Sequence, residues 1–375
     1  MSEVRRASLE DLDRLFQLLH RGRYQIIGPR LESQAIGYGE LRSREDLPIG
    51  WTEEQSPGRY RLKKRTDQAH FGFTVGPGGF RRFLQKPRES LFQANKKNNK
   101  WKVHPTESPA QKLAFLGVRG CEWKAIQIQD QVFVEGTYQD QHYQSRRSQL
   151  LVIGVDCVTS ATTCFCTSFD SGPSVGEGTD LRLTEIVGDA HHYFLVRAGG
   201  KAGSRLLEKW NLDLATDKDI KQGEELVTAN RQRIESHSQI ATKGLKEGLV
   251  KEWNHPQWEV LGQKCLACAN CTLVCPTCFC SNSVEEVSLE GDRVERFRQW
   301  DSCFTGDHAY LHGGGVRPDV KSRYRQWLTH KLSSWQDQFG EVGCTGCGRC
   351  IVWCPVGIDL REEVQILRQN SEEEK

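Results

Sequence analysis

Two runs of four cysteines constrain this chain more than any other feature. The first is Cys265-Leu-Ala-Cys268-Ala-Asn-Cys271-Thr-Leu-Val-Cys275-Pro276, and the second is Cys344-Thr-Gly-Cys347-Gly-Arg-Cys350-Ile-Val-Trp-Cys354-Pro355. Both read C-x2-C-x2-C-x3-C-P. Three cysteines at two-residue spacing wrap a tight loop round one corner of an iron–sulfur cubane. The fourth starts a helix and points away, so it serves the cluster of the other run. The pattern predicts two [4Fe–4S] clusters: one on Cys265, Cys268, Cys271 and Cys354, the other on Cys344, Cys347, Cys350 and Cys275. Zinc sites use paired C-x2-C spacings and have no use for a third cysteine at the same step. A zinc-held interaction module is therefore the lesser alternative.

Fifteen cysteines in all leave seven outside these runs. Cys121, Cys157, Cys164 and Cys166 stand at the ends of expected strands, in LGVRGC, IGVDC and TTCFC. Loops at strand ends converge, and four thiolates suit a third [4Fe–4S] cluster. Core thiols, or a zinc site on the same four residues, are the competing readings. Cys278 and Cys280 follow the first run as Pro276-Thr-Cys278-Phe-Cys280, and read as a redox pair, ligands of a further metal, or packing. Cys303, in WDSCF, reads as a packed thiol. Trp300, Trp327, Trp335 and Trp353 flank the runs, where they would shield clusters from water or simply fill a core.

Other classes are disfavoured. Lysine plus arginine number 51 against 49 aspartates plus glutamates, so no global field points to nucleic acid or membrane. The start, MSEVRRASLEDLDRLFQLLH, is charged and amphipathic rather than a signal peptide. No run of apolar residues is long enough to span a membrane. A cytoplasmic protein is expected. The glycine clusters at 76–79 and 313–315 lack the strand–GxGxxG–helix setting of a dinucleotide fold. His191-His192 and the pair His308 and His312 read as incidental.

The expected fold is α+β: a mixed α/β domain over 1–203 with the third site, a helical linker over 204–254, and a ferredoxin-like 2[4Fe–4S] domain over 255–365 with an insertion at about 281–340. A disordered tail covers 366–375. Residues 1–20 read as a helix capped by Ser8, with Leu9, Leu12, Leu15, Phe16 and Leu19 on one face. FGFTV (71–75), LAFLGV (113–118), QVFVEG (131–136), LLVIGV (150–155) and HYFLVRAG (192–199) read as strands. QANKKNNKWK (93–102) reads as an exposed loop. The insert holds a hairpin turning at Gly291-Asp292 and a helical stretch, YRQWLTHKLSSWQDQF.

Taken together, these blocks resemble a known family. FLGVRGCEWKAIQIQDQVF, YQSRRSQLLVIGVDC, CFCTSFDSGP, KCLACANCTLVCPTCFC, WDSCF and GCTGCGRCIVWCPVGID look like the iron–sulfur beta subunit of cytosolic sulfhydrogenases, which are NADP-linked nickel–iron hydrogenases. They are also similar to the iron–sulfur component of anaerobic sulfite reductases, and the family is labelled 4Fe–4S dicluster domain-containing. Where the family reads GVRPCD, this chain has Gly-Val-Arg-Gly-Cys121-Glu122; the cysteine is kept. The resemblance implies a non-catalytic electron-transfer subunit of an oxidoreductase complex. It would relay electrons between a flavin subunit that binds a nicotinamide nucleotide and a subunit holding a catalytic metal. The expected complex is a hydrogenase, and a sulfite reductase is the alternative. A self-contained enzyme, using an open cluster site or the Cys278/Cys280 pair, is the contrasting reading.

Overall fold

The computed structural model describes residues 3–106, 111–188 and 191–372. In chain order, the strands used below are β1 (Arg5–Ala7), β2 (Gln25–Glu32), β3 (Ala35–Glu40), β4 (Trp51–Ser56), β5 (Arg59–Lys64), β6 (Arg88–Lys97), β7 (Lys100–Pro105), β8 (Leu113–Val118), β9 (Leu150–Val155), β10 (Leu181–Gly188), β11 (His191–Ala198), β12 (Asp213–Leu214), β13 (Ser281–Val287) and β14 (Arg293–Trp300). Helices and sheets together give the α+β class.

Eight strands form one mixed sheet, in the order β12-β1-β11-β10-β9-β8-β2-β3. The pairs β2–β8, β8–β9 and β9–β10 are parallel, and the outer pairs are antiparallel. Every residue of β8 is buried, as a parallel strand covered on both faces requires. Ala114 and Leu116 join the core under the helix Leu9–Arg21; Leu113, Phe115 and Val118 join the core under the helix Gly120–Phe133.

The first helix has the expected cap. Asp11 N donates to Ser8 Oγ at 3.1 Å and Ser8 N returns a bond to the Asp11 carboxylate at 2.8 Å, satisfying two otherwise orphaned donors. Leu12, Leu15, Phe16 and Leu19 are buried. The helix begins at Leu9 because residues 5–7 are held in the sheet as β1.

Several expectations need correction. The segment 71–75 is buried but is not a strand. Its backbone groups are taken by side chains: Phe71 N donates to Glu185 (2.8 Å), Arg119 donates to Phe71 O (2.7 Å) and Phe73 O (2.9 Å), and Thr74 N donates to Glu53 (2.7 Å). With those partners supplied, no sheet ladder is needed. Residues 93–102 are not a loop but the tip of the β6–β7 hairpin, turning at Asn98-Asn99 with φ of 50° and 60°. Asparagine tolerates the left-handed conformation such turns demand. Gln131–Phe133 completes a helix, so the strand expected over 131–136 is absent. The tail expected from 366 is helical as far as Glu372, and residues 373–375 lie outside the described ones.

The 204–250 stretch is helical as read, in Gly200–Trp210, Asp217–Glu235 and Leu245–Lys251. The insert hairpin forms as β13 and β14. The outer edge of β14 also pairs with β6, giving a second sheet in the order β13-β14-β6-β7. The late helix runs from Val320 to Phe339 through a π-helical turn at His330–Ser334.

Candidate metal centres

The two cysteine runs fold as near copies. Ala267 and Ala269 in the first, and Gly346 and Gly348 in the second, are left-handed, with φ of 50°, 65°, 62° and 75°. Each run then enters a one-turn helix, Asn270–Leu273 or Arg349–Val352. The left-handed residues coil the chain so that three cysteines face one centre. Backbone N–H groups approach the sulfurs: Ala267 N to Cys265 Sγ at 3.4 Å, Gly346 N to Cys344 Sγ at 3.5 Å and Ile358 N to Cys354 Sγ at 3.4 Å. Such bonds stabilise thiolate charge and tune a bound cluster.

The fourth cysteine of each run lies beside the other run: Cys354 neighbours Cys265 and Cys271, and Cys275 neighbours Cys344 and Cys350. Cys265, Cys268, Cys271 and Cys354 line one pocket together with Cys350, Phe304 and Tyr324. Burial pushes the Cys350 thiol well up, and nearby Cys344, Cys347 and Cys275 add to the rise, so Cys275 lies with the second run. Among the described residues no three cysteine sulfurs lie within 4.8 Å of one another.

Lys331 is buried against the second set. Its Nζ donates to Gly343 O (2.9 Å) and Thr277 Oγ1 (3.0 Å) and lies 3.4 Å from Cys275 Sγ. Nothing in the sequence marked it, because it arrives from the insert helix 56 positions away.

The other four cysteines also meet. Cys121 is in the first turn of the helix after β8, Cys157 follows β9, and Cys164 and Cys166 lie in the next loop. These are carboxyl ends of parallel strands, where open α/β sheets place their ligands. Cys121, Cys164 and Cys166 pack in one cluster with Val75, Ile234 and Cys347. Cys157 neighbours Cys164 and Cys166. Burial pushes the Cys164 thiol up to about 12. Two fully buried guanidiniums face the group, Arg119 toward Cys157 and Arg349 toward Cys121 and Cys347. Arg119 Nε and Arg349 Nη1 have no hydrogen-bond partner among the described residues. Buried cationic donors left open beside four thiols fit an anionic, thiolate-held group between them.

The remaining candidates sort plainly. Cys278 neighbours Cys275, and Cys280 neighbours Cys303 and His308. Trp327 and Trp335 are buried, Trp353 stacks on Tyr60 (centroids 5.3 Å apart), and Arg81 covers the Trp300 ring at 3.7 Å. His312 is exposed, and His308 meets Asp301 instead (3.0 Å). His191 is exposed. His192 donates to Glu185 at 2.8 Å, with His70 beside them. Sequence reasoning missed this buried trio because His70 and Glu185 are 115 positions apart. Glu185 also accepts from His70 N (2.6 Å) and Phe71 N (2.8 Å), so its oxygens tie the 70–71 loop to the sheet.

The fold and these cysteine loops define an iron–sulfur protein of the dicluster class: residues 264–358 match the 4Fe-4S dicluster domain, and the chain carries two [4Fe–4S] clusters. Over 349 residues it is 28% identical to Sulfhydrogenase 2 subunit beta of Pyrococcus furiosus, covering 92% of this chain and 91% of that protein. Together these findings support a likeness to iron–sulfur beta subunits. It is an iron–sulfur electron-transfer subunit. No solved structure matches it. No helix among the described residues is long and apolar enough to cross a membrane.

Proposed function

We propose that this subunit relays electrons in the cytoplasm through three [4Fe–4S] clusters, between a flavin subunit that binds a nicotinamide nucleotide and the catalytic metal subunit of a nickel–iron hydrogenase. Each cluster, when bound, supplies one-electron transfer. The chain supplies ligands, charge and shielding. Cys265, Cys268, Cys271 and Cys354 hold the first cluster, and Cys344, Cys347, Cys350 and Cys275 the second. Cys121, Cys157, Cys164 and Cys166 hold the third.

The observation that carries this reading is the packing of Cys347 against the N-terminal cysteines. A ligand of the second cluster thereby touches the third site, as a relay requires. A gradient of exposure supports a direction in space. Cys121, Cys164 and Cys166 are buried, whereas Cys268 is exposed and Leu266 near it is 64% exposed. The first cluster is thus the one a partner reaches from outside. The name of the relative, Sulfhydrogenase 2 subunit beta, favours a hydrogenase over a sulfite reductase.

Anaerobically purified chain should carry about twelve iron atoms, and Cys164→Ser should lower the count by about four. A count near eight in both would remove the third cluster and leave the ferredoxin pair. Co-purification with a sirohaem protein instead of a nickel–iron subunit would transfer the relay to a sulfite reductase.

A further inference from the structure

Cys280 and Cys303 belong to neither cysteine run nor to the N-terminal four. Cys280 sits just before β13, and Asp301 N donates to its carbonyl at 2.9 Å, extending the β13–β14 ladder by one step. Cys303 is two residues beyond Asp301, in the turn that follows β14, and neighbours Cys280. Its turn is pinned to the first cysteine run, since Thr272 Oγ1 donates to Ser302 Oγ at 2.7 Å. Phe304, the next residue, lines the first-run pocket.

His308 completes the group. One ring nitrogen, Nδ1, is engaged by the Asp301 carboxylate at 3.0 Å, which Thr305 Oγ1 and Ser302 N also hold at 2.7 Å each. The ring also neighbours Cys280. The Asp301–His308–Cys280 order is that of an activated thiol, with the base oriented by a third group. Both cysteines are half-buried, and Ser281, Thr305, Gly306 and Asp307 around them are exposed, so a small molecule has access.

We propose that Cys280 and Cys303 form a redox-active dithiol that reduces small organic disulfides, with His308 carrying the proton. Contact with Cys303 and with His308 holds the Cys280 thiol down at about 4, and the Cys280 and Asp301 contacts raise His308 to about 9, in keeping with a thiolate–imidazolium pair. Cys280 attacks one sulfur of R–S–S–R. A Cys280–S–R bond forms, the R–S–S–R bond breaks, and the departing thiolate takes the His308 proton. Cys303 then attacks Cys280 Sγ. The Cys280–Cys303 disulfide forms and the second thiolate leaves with the Cys303 proton. The dithiol has lost two electrons. Two electrons from the subunit's one-electron iron–sulfur carriers, with two protons, restore it. This last step rests on the relay reading above.

The test uses the full chain, anaerobic and reduced, with glutathione disulfide as probe, acid quench and peptide mapping by mass spectrometry. Wild type should accumulate the Cys280–Cys303 disulfide. Cys303→Ser should instead accumulate about one glutathione per chain on Cys280, because the resolving thiol is gone. His308→Gln should slow adduct formation by at least about tenfold. Iron content and the electron paramagnetic resonance spectrum should match wild type in Cys280→Ser and Cys303→Ser. No adduct on Cys280 in Cys303→Ser would overturn the proposal, and so would loss of iron from either variant, which would make these residues metal ligands. Failure of the relay reading would appear separately, as a deficient iron count in the wild type.

Discussion

Single residues decide whether the two halves of the molecule meet. At Gly346 and Gly348 an added Cβ would stand 2.4 Å from Phe165 O and 2.5 Å from Thr163 O. The loop bearing Cys164 and Cys166 therefore lies directly on the second cysteine run, and Phe165 N donates to Gly346 O at 2.9 Å. The first run carries alanine at the matching positions, with the same left-handed φ. Gly346→Ala should cost about 2 kcal/mol or more, the left-handed penalty plus the clash, and should release iron from the N-terminal site. Ala267→Gly should leave stability unchanged within about 1 kcal/mol. Thermal unfolding with iron analysis checks both. Lys331 acts through charge. A unit charge several ångströms from an added electron contributes roughly 3 kcal/mol at an effective dielectric near 20, on the order of 0.1 V. Lys331→Met should lower the potential of the second cluster by that order, read in a redox titration followed by electron paramagnetic resonance.

At the scale of elements, β10 and β11 gain their loop through Glu185. Burial alone would raise this carboxyl, but the hydrogen bonds from His192 and His70 prevail and bring it down to about 2. A carboxyl depressed in the folded state stabilises above its unfolded value, near 4.5, and that stability is lost as pH falls from about 4.5 toward 2. The shift is worth roughly 3 kcal/mol. Glu185→Gln should destabilise by about that amount at pH 7, and the gap to wild type should close only below about pH 4.5. Urea unfolding at stepped pH measures it. The capped first helix, the buried strands at 113–118 and 150–155 and the insert hairpin were legible because local pattern and tertiary role agree there. The hairpin at 93–102 was not, since its residues are polar and mostly exposed. Nor was the irregular 71–75 segment, because its partners Glu185 and Arg119 are remote in sequence and no local signal announces them.

Across the whole molecule, one buried ion pair locks the cysteine runs to the mixed sheet. Arg349, between Cys347 and Cys350, meets Glu122, beside Cys121, at 2.6 Å, and both side chains are 1% exposed. Arg349 Nε also donates to Gly76 O at 2.7 Å. Removing one partner leaves the other charge buried and unpaired, a loss of about 3–5 kcal/mol. Arg349→Met should show that loss in chemical denaturation, while the double variant with Glu122→Gln should recover part of it. The eight cysteines of the runs could be read from spacing alone, since a cubane fixes their steps. The meeting of the other four depends on the order of parallel strands and on remote arginines, which spacing does not encode.

The shared sheet of β6, β7, β13 and β14 has a consequence for how this chain can be altered. A ferredoxin is commonly a cassette that protein engineers cut out and graft elsewhere. Here the segment between the cysteine runs lends its hairpin to a strand laid down some two hundred positions earlier. Excised at residue 264, the cassette would present the β14 edge bare, a template for pairing with other copies. The graft that keeps its shape must bring the β6–β7 hairpin along as a second fragment, which makes this a natural site for splitting the chain into two complementing pieces.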